Sequence, residues 1–407
     1  MADTVERTAT RIQGFASGEY DFQLMRLLGA GNYGGGTPGE VFAARAAISG
    51  DDPAQWPAAF VSLATEVDAL GAAADPEFPI SARDHALRAS MYWRCAEYFA
   101  DPFEPQQREW GLASRASFRR AAAHFQTPFE PMPYPCDGLE LPGYFLRPAG
   151  ADPAVPRPTV LTITGFDGTG EELYFQTARA ALERGFNVAV AEGPGQVGAL
   201  RDHPDLVFRP DYEVPIRAMV DAVLARSGVD PQRLALYGIS FGGYFALRGA
   251  AHDDRIRALI ANSPIVDLHA YMSAFVGGHN PDDDDFSLDD LPHIPDEVFP
   301  RLNKLMFKAS CRRFGVRTFS GWFERIREFS AVSMLADIQC PTLALAGTGE
   351  GGETERQLQQ FADQAGGPVT VHRFASLGSD MHCQLGNLPL SNAVIFDWLG
   401  RLWRAPA

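Results

Sequence analysis

Lysine is nearly missing from this chain. Of its 35 basic residues only Lys304 and Lys308 are lysine, and no Gly-Lys-Ser/Thr triplet occurs anywhere. That excludes the phosphate-binding loop built around a lysine and leaves few candidates for Schiff-base chemistry. Cysteine is also scarce. Cys95, Cys136, Cys311, Cys340 and Cys383 are odd in number, scattered, and never spaced C-x-x-C. This excludes a disulfide framework and a thiolate zinc site, and it predicts a reduced, cytosolic set. No H-E-x-x-H pattern is present, so neither a metal nor a cofactor is expected. Long apolar runs are lacking too: no stretch approaches the roughly 18 residues needed to cross a bilayer. The opening Met-Ala-Asp-Thr-Val-Glu-Arg has no apolar leader segment. The expected location is the cytoplasm. Finally, positive charge is in deficit. With 35 basic and 51 acidic residues the net charge is −16. Such a surface repels phosphate backbones and anionic lipid, so neither nucleic acid nor membrane is an expected partner.

What is present is an ordinary globular composition, 46% hydrophobic over 407 residues, enough for two or three domains with a large core. Residues 10–130 read as helices. Trp56, Phe60, Leu63, Ala64 and Val67 fall on one helical face, as do Leu87, Met91, Cys95 and Phe99, the latter after a candidate cap at Ser81. From about Leu139 short apolar runs alternate with helical stretches. The runs are Val160–Thr164, Val188–Ala191, Leu234–Tyr237, Ala258–Ala261, Thr342–Ala346 and Val369–Phe374. Continuous apolar strands alternating with helices predict a mostly parallel sheet covered on both faces. The expected division is a helical unit over residues 1–135 and an α/β unit over 136–407, interrupted at about 265–335 by a partly helical insertion. Within that insertion the acidic run Asp282–Asp285 reads as a solvated loop, because the spaced ligands and glycine of a calcium loop are missing.

Three glycine motifs compete for a functional role. Gly29-Ala-Gly31-Asn-Tyr-Gly34 follows a helical segment, which is the wrong context for a dinucleotide fingerprint. Gly193-Pro-Gly195-Gln-Val-Gly198 does follow a strand, but Pro204, Pro210 and Pro215 forbid the long helix that would hold a pyrophosphate. Gly238-Ile-Ser240-Phe-Gly242 stands between the apolar run ending at Tyr237 and the helical segment Tyr244–Ala251. That strand–turn–helix setting is the one a nucleophile elbow requires, with glycines where side chains would collide.

A serine hydroxyl needs a base, and the base needs an orienting carboxylate. In the elbow-bearing fold the order along the chain is serine, acid, histidine. His382, eight residues past the last apolar run, is the expected base; His372, inside that run, reads as structural. The acid should follow Thr342–Ala346, where Glu350 is the first choice, Glu353 its rival and Asp380 a fallback. The developing oxyanion needs two backbone donors. The N–H of Phe241 is one, and the N–H of Phe166, in Gly165-Phe-Asp-Gly168, is the other, with Asp167 as the neighbour that displaces it by one.

These residues resemble the α/β-hydrolase superfamily. Thr164-Gly-Phe-Asp-Gly-Thr-Gly-Glu-Glu172, Glu192-Gly-Pro-Gly-Gln196, the elbow and Asp380-Met-His-Cys-Gln384 are similar to the group holding the fermentation–respiration switch protein, 2,6-dihydroxypseudooxynicotine hydrolase and fungal pigment enzymes that shorten polyketides. Tyr33-Gly-Gly-Gly and Ser81-Ala-Arg83 extend the likeness over nearly the whole chain. The resemblance implies a helical cap over the site, a homodimer, and hydrolysis of a carbon–carbon bond beside a ketone. The residues alone say acyl-type nucleophilic hydrolysis, so an ester is equally open. The expected substrate is a small molecule, aromatic or polyketide-like, with Tyr92, Trp93, Tyr271, Phe275 and Trp322 as candidate lining or core residues. Intramolecular acyl transfer or cyclisation, and non-catalytic regulatory binding on the same fold, are the alternatives. One departure stands out: relatives carry an aspartate in G-x-x-D where this chain has Glu350 followed by Gly351-Gly-Glu353.

Overall fold

The computed structural model describes residues 14–50, 52–277 and 285–404. Among the described residues five helices come first: α1 (Gly18–Ala30), α2 (Pro38–Ala46), α3 (Gln55–Ala74), α4 (Pro79–Tyr98) and α5 (Pro105–Ala122). Proline opens α2, α4 and α5, where its missing N–H would have had no partner anyway. The apolar stripes pack as their spacing requires. Trp56, Phe60, Ala64 and Val67 are buried on α3, with Leu63 half-buried, and Leu87, Met91 and Cys95 are buried on α4. The start of α4 differs from expectation. The helix begins at Pro79, so Ser81 lies inside it instead of capping it. The fixed φ of a proline at the first helical position outweighs the capping preference of a serine two residues later.

Ten strands follow among the described residues: β1 (Phe129–Pro131), β2 (Tyr134–Cys136), β3 (Leu139–Leu141), β4 (Gly143–Leu146), β5 (Arg157–Ile163), β6 (Asn187–Ala191), β7 (Val229–Ile239), β8 (Ala258–Asn262), β9 (Thr342–Gly347) and β10 (Val369–Phe374). Eight form one sheet in the order β1-β4-β6-β5-β7-β8-β9-β10, and β2 pairs with β3 separately. The six strands from β6 across to β10 run parallel, as the apolar runs predict, while β1 and β4 add an antiparallel edge. That edge was not legible as strand, since three- and four-residue segments show no period. Every residue of β6, β8 and β9 is buried, because helices cover both faces.

The strand order decides where a site can form. From β5 the chain crosses one way to β6 and then returns to the other side of β5 to make β7. At such a reversal the loops leaving the carboxyl ends of neighbouring strands part and open a crevice. Here the loops after β5 and β7 carry Gly165–Gly168 and the elbow.

One face of the sheet shares a continuous core with the helical region, from Trp56 and Phe60 through Phe175 to Ile395 and Phe396. The other face packs on Phe208, Tyr212, Phe245, Trp322 and Phe361. The insertion contributes helices Leu268–Phe275, Arg301–Phe314 and Phe319–Ile326. Residues 282–284 of the acidic run lie outside the described residues. Asp285 accepts hydrogen bonds from the Ser320 backbone N–H at 2.8 Å and its hydroxyl at 2.7 Å. Among the described residues no helix is long and apolar enough to cross a membrane.

A buried ionic network ties the helical region to the segment after β5. Arg26 grips Glu172 with two hydrogen bonds, 2.5 and 2.6 Å, and Arg94 adds a contact at 3.3 Å. Arg201 bridges Glu97 and Glu171, which also accepts from the Tyr144 hydroxyl at 2.6 Å. Burial alone would raise the Glu171 pKa, but Arg201 and Arg115 overcome it and bring it to about 2. Such a network contributes little net stability, yet losing one partner strands a buried charge.

Candidate active site

Ser240 directly follows β7 and precedes the helix Gly242–His252. Its φ is +60°, a left-handed conformation that costs a serine of order 1 kcal/mol or more and that recurs at nucleophile turns. The flanking glycines follow from close approach: a Cβ on Gly238 would stand 2.0 Å from the Gly242 carbonyl oxygen.

The turn after β5 lies against this elbow. A Cβ on Gly165 would come within 2.5 Å of the Phe241 nitrogen and 3.0 Å of the Ser240 Cβ. Phe166 and Phe241 therefore flank the serine. Their rings join one aromatic cluster, with the Phe208 centroid 5.9 Å from Phe166 and 5.3 Å from Phe241. The Phe166 carbonyl accepts from Arg313 and the Asp167 carbonyl from Arg94, while the Asp167 carboxylate pairs with Arg26 at 3.2 Å. Gln196 braces the turn from behind: its side-chain amide donates to the Thr164 carbonyl at 2.5 Å and accepts from the Gly193 N–H. The Gly193–Gly198 motif thus makes a tight turn followed by a helix of only six residues, Val197–Asp202.

His382 reaches the serine from a short turn near the carboxyl end. Its Nε2 lies 2.8 Å from Ser240 Oγ, and its Nδ1 lies 2.5 Å from Glu350 Oε2. Glu350, in the 3₁₀ turn directly after β9, is fully buried. Its carboxylate also accepts from the Gly347 N–H at 2.7 Å and the Ser263 hydroxyl at 3.0 Å. Burial lowers the His382 pKa; the Cys383 thiol, Tyr271 and the Glu350 carboxylate together outweigh it and hold the ring well above the ordinary histidine range. Glu353 is turned away, chelated by Arg356 at 2.6 and 2.8 Å and bound by Gln357. Asp380 is buried, with its carbonyl accepting from the Gly349 N–H. His372 stays on β10, its ring 4.5 Å from that of Phe374.

The structure thus brings Ser240, His382 and Glu350 together. Of the aromatic candidates, Tyr92 and Trp322 are core side chains and Phe275 is exposed. Sequence reasoning missed Ser263 and Arg313. Neither sits in a motif, and no spacing could have marked them.

The fold agrees with what known proteins show. A model of the prolyl oligopeptidase family matches residues 174–284. The chain is 31% identical to the alpha/beta hydrolase xenA of Xenoacremonium sinensis, with 82% of each chain covered. It is 30% identical to the hydrolase LUC6 of a Fusarium species, over 95% of this chain and 97% of that one. Among solved structures, 2,6-dihydroxy-pseudo-oxynicotine hydrolase superposes with a TM-score of 0.71 at 21% identity, covering 91% of this chain and 94% of the other. The chain belongs to the α/β-hydrolase family, and it is a hydrolase enzyme.

Proposed function

We propose that the protein is a serine-nucleophile hydrolase that cleaves a carbon–carbon bond beside a ketone, or an ester, in a small aromatic or polyketide-like substrate. The observation that carries this reading is the unbroken relay from Ser240 Oγ through both nitrogens of His382 to a buried carboxylate. In the reading, His382 Nε2 accepts the Ser240 proton as Oγ attacks the carbonyl carbon. The N–H groups of Phe166 and Phe241 hold the oxyanion, and Glu350 fixes the ring and offsets the imidazolium charge. Collapse of the tetrahedral adduct expels an alkoxide from an ester, or, from a ketone whose leaving carbon lies beside a second carbonyl, an enolate that takes the bonding electron pair. His382 returns the proton to that leaving group. Water then attacks the acyl-serine by the same route, regenerating the hydroxyl.

The helical region up to about residue 135 acts as a cap, the insertion at 265–335 as a lid, and residues 136–407 hold the chemistry. A carbonyl substrate of aromatic character is in keeping with the solved neighbour, a hydrolase of 2,6-dihydroxy-pseudo-oxynicotine. The protein works in the cytoplasm as a homodimer. The test is labelling by a fluorophosphonate probe, expected at Ser240 and absent in Ser240→Ala, combined with turnover of aryl ketones and esters in isotopically labelled water. Label entering the acid product supports hydrolysis. Ring closure without label supports acyl transfer instead, and no labelling of Ser240 overturns the reading.

A further inference from the structure

Arg313 is buried, with 9% of its surface exposed, and makes no ion pair among the described residues. Among the described residues no carboxylate oxygen lies within 4.0 Å of its guanidinium. Its side chain donates to the Phe166 carbonyl and lies flat against the Phe166 ring, 4.3 Å from the centroid. The nearest carboxylates are already committed: Asp167 to Arg26, and Glu97 to two bonds from Arg201. Burial pulls the Arg313 pKa below the ordinary arginine value, and the more distant Asp167, Tyr98 and Glu97 do not restore it. This is costly for a buried cation unless something else completes it.

That side chain lines a cleft of about 290 Å³ between the α4–α5 connection, the helix Val197–Asp202 and the insertion helix Arg301–Phe314. Phe103, Arg108 and Arg312 share the wall with Glu104 and with the Arg201–Glu97 ion pair. Arg312 stands over the Phe103 ring at 5.8 Å and, among the described residues, likewise has no carboxylate within 4.0 Å. Four arginines against two glutamates leave the cleft lining with an excess of positive charge, although the protein as a whole carries a net charge of −16. Arg313 touches Phe166, whose N–H holds the oxyanion in the proposed reaction.

We propose that this cleft is the substrate's anion subsite, in which Arg313, aided by Arg312, binds a carboxylate at the end of the substrate remote from the scissile bond. The assignment rests on the hydrolase reading and narrows it: the enzyme takes a carbonyl compound that also bears a carboxylate. A planar guanidinium offers a paired set of donors that matches a carboxylate, and completing that pair offsets the burial of the cation. Selectivity for the acid over a neutral analogue then comes from leaving Arg313 uncompensated when the carboxylate is missing.

The test compares mono-4-nitrophenyl glutarate with 4-nitrophenyl pentanoate, esters of equal acyl length that differ in the terminal carboxylate. The wild type should prefer the glutarate. Arg313→Met should lower kcat/KM for the glutarate at least about tenfold more than for the pentanoate, chiefly through KM, and Arg313→Lys should recover part of the difference. Equal losses on both esters would mean that Arg313 only supports the Phe166 turn, and would overturn the proposal. A second measurement needs no turnover. Calorimetric binding of benzoate to Ser240→Ala should weaken at least about tenfold when Arg313→Met is added. No benzoate binding, or binding indifferent to Arg313, overturns the subsite. Should the wild type hydrolyse neither ester and escape fluorophosphonate labelling, the hydrolase reading fails by itself, while the benzoate measurement still decides the anion site.

Discussion

Glu350 Oε2 stands 2.5 Å from His382 Nδ1, whereas Glu353, three residues further on, is bound to Arg356 and Gln357. The two glutamates are separated by the onset of a helix at Gly352, which swings the second carboxylate out of the crevice. Glu350→Gln should therefore lower kcat by about 10³–10⁴, the scale of losing the group that holds the base in its working tautomer. Glu353→Gln should change kcat less than about threefold, since the contacts it weakens, to Arg356 and Gln357, lie outside the relay. Steady-state kinetics on one ester decides between them, and the opposite ranking would hand the acid role to Glu353.

The raised His382 pKa sets the pH dependence. A protonated ring cannot accept the Ser240 proton, and here protonation persists to a higher pH than for an ordinary histidine at 6.5. The expected profile of kcat/KM is a rise with pH whose midpoint lies above 6.5. Because the Glu350 carboxylate is one cause of the shift, Glu350→Gln should move the midpoint of the residual activity downward. A midpoint below 6.5 in the unmodified protein would contradict a raised His382 pKa.

Gly165 offers a test of the proposed oxyanion turn. A Cβ there would press to 2.5 Å from the Phe241 nitrogen, too close for either backbone to keep its place. Gly165→Ala should lower kcat by about 10²–10³, comparable with losing one oxyanion donor, while leaving the circular dichroism spectrum intact. Full activity in that variant would show that the Phe166 and Phe241 amides do not work as a pair.

Stability carries a separate signature at Glu192. Burial, and then the neighbouring Glu171, raise its pKa from 4.5 to about 7. The folded state therefore holds a proton that the unfolded chain releases above 4.5. This site favours the fold fully below that value, and its contribution is lost as pH rises through about 7. Glu192→Gln keeps an oxygen for the Gly198 N–H, now 2.8 Å from Glu192 Oε1, and removes the ionisation. Its Tm should exceed that of the wild type by a few degrees at pH 8 and by little at pH 5, as scanning calorimetry would report. An equal difference at both pH values would place the pKa elsewhere.

Much of this protein could be read from local pattern. The six parallel strands are apolar runs bounded by turn residues, and a buried strand has to be continuously apolar wherever helices cover both its faces. Gly238-Ile-Ser240-Phe-Gly242 was legible for a related reason, since the clash that demands glycine lies within a few residues of the serine. The antiparallel edge β1–β4 was not, because its strands are too short to show a period.

What the sequence determined by itself was the inventory: a strained serine turn, a late histidine, two candidate glutamates, and too few lysines for the rival chemistries. What only the tertiary structure decided was partnership. The helix that begins at Gly352 selects Glu350 over Glu353, and the strand reversal beside β5 sets Gly165 against the elbow. Ser263 meets the acid across 87 residues, and Arg313 meets Phe166 across 147. Local chemistry dictates conformation over a few residues, but a hydrogen bond between distant segments depends on how strands are ordered in the sheet, and no spacing along the chain encodes that order.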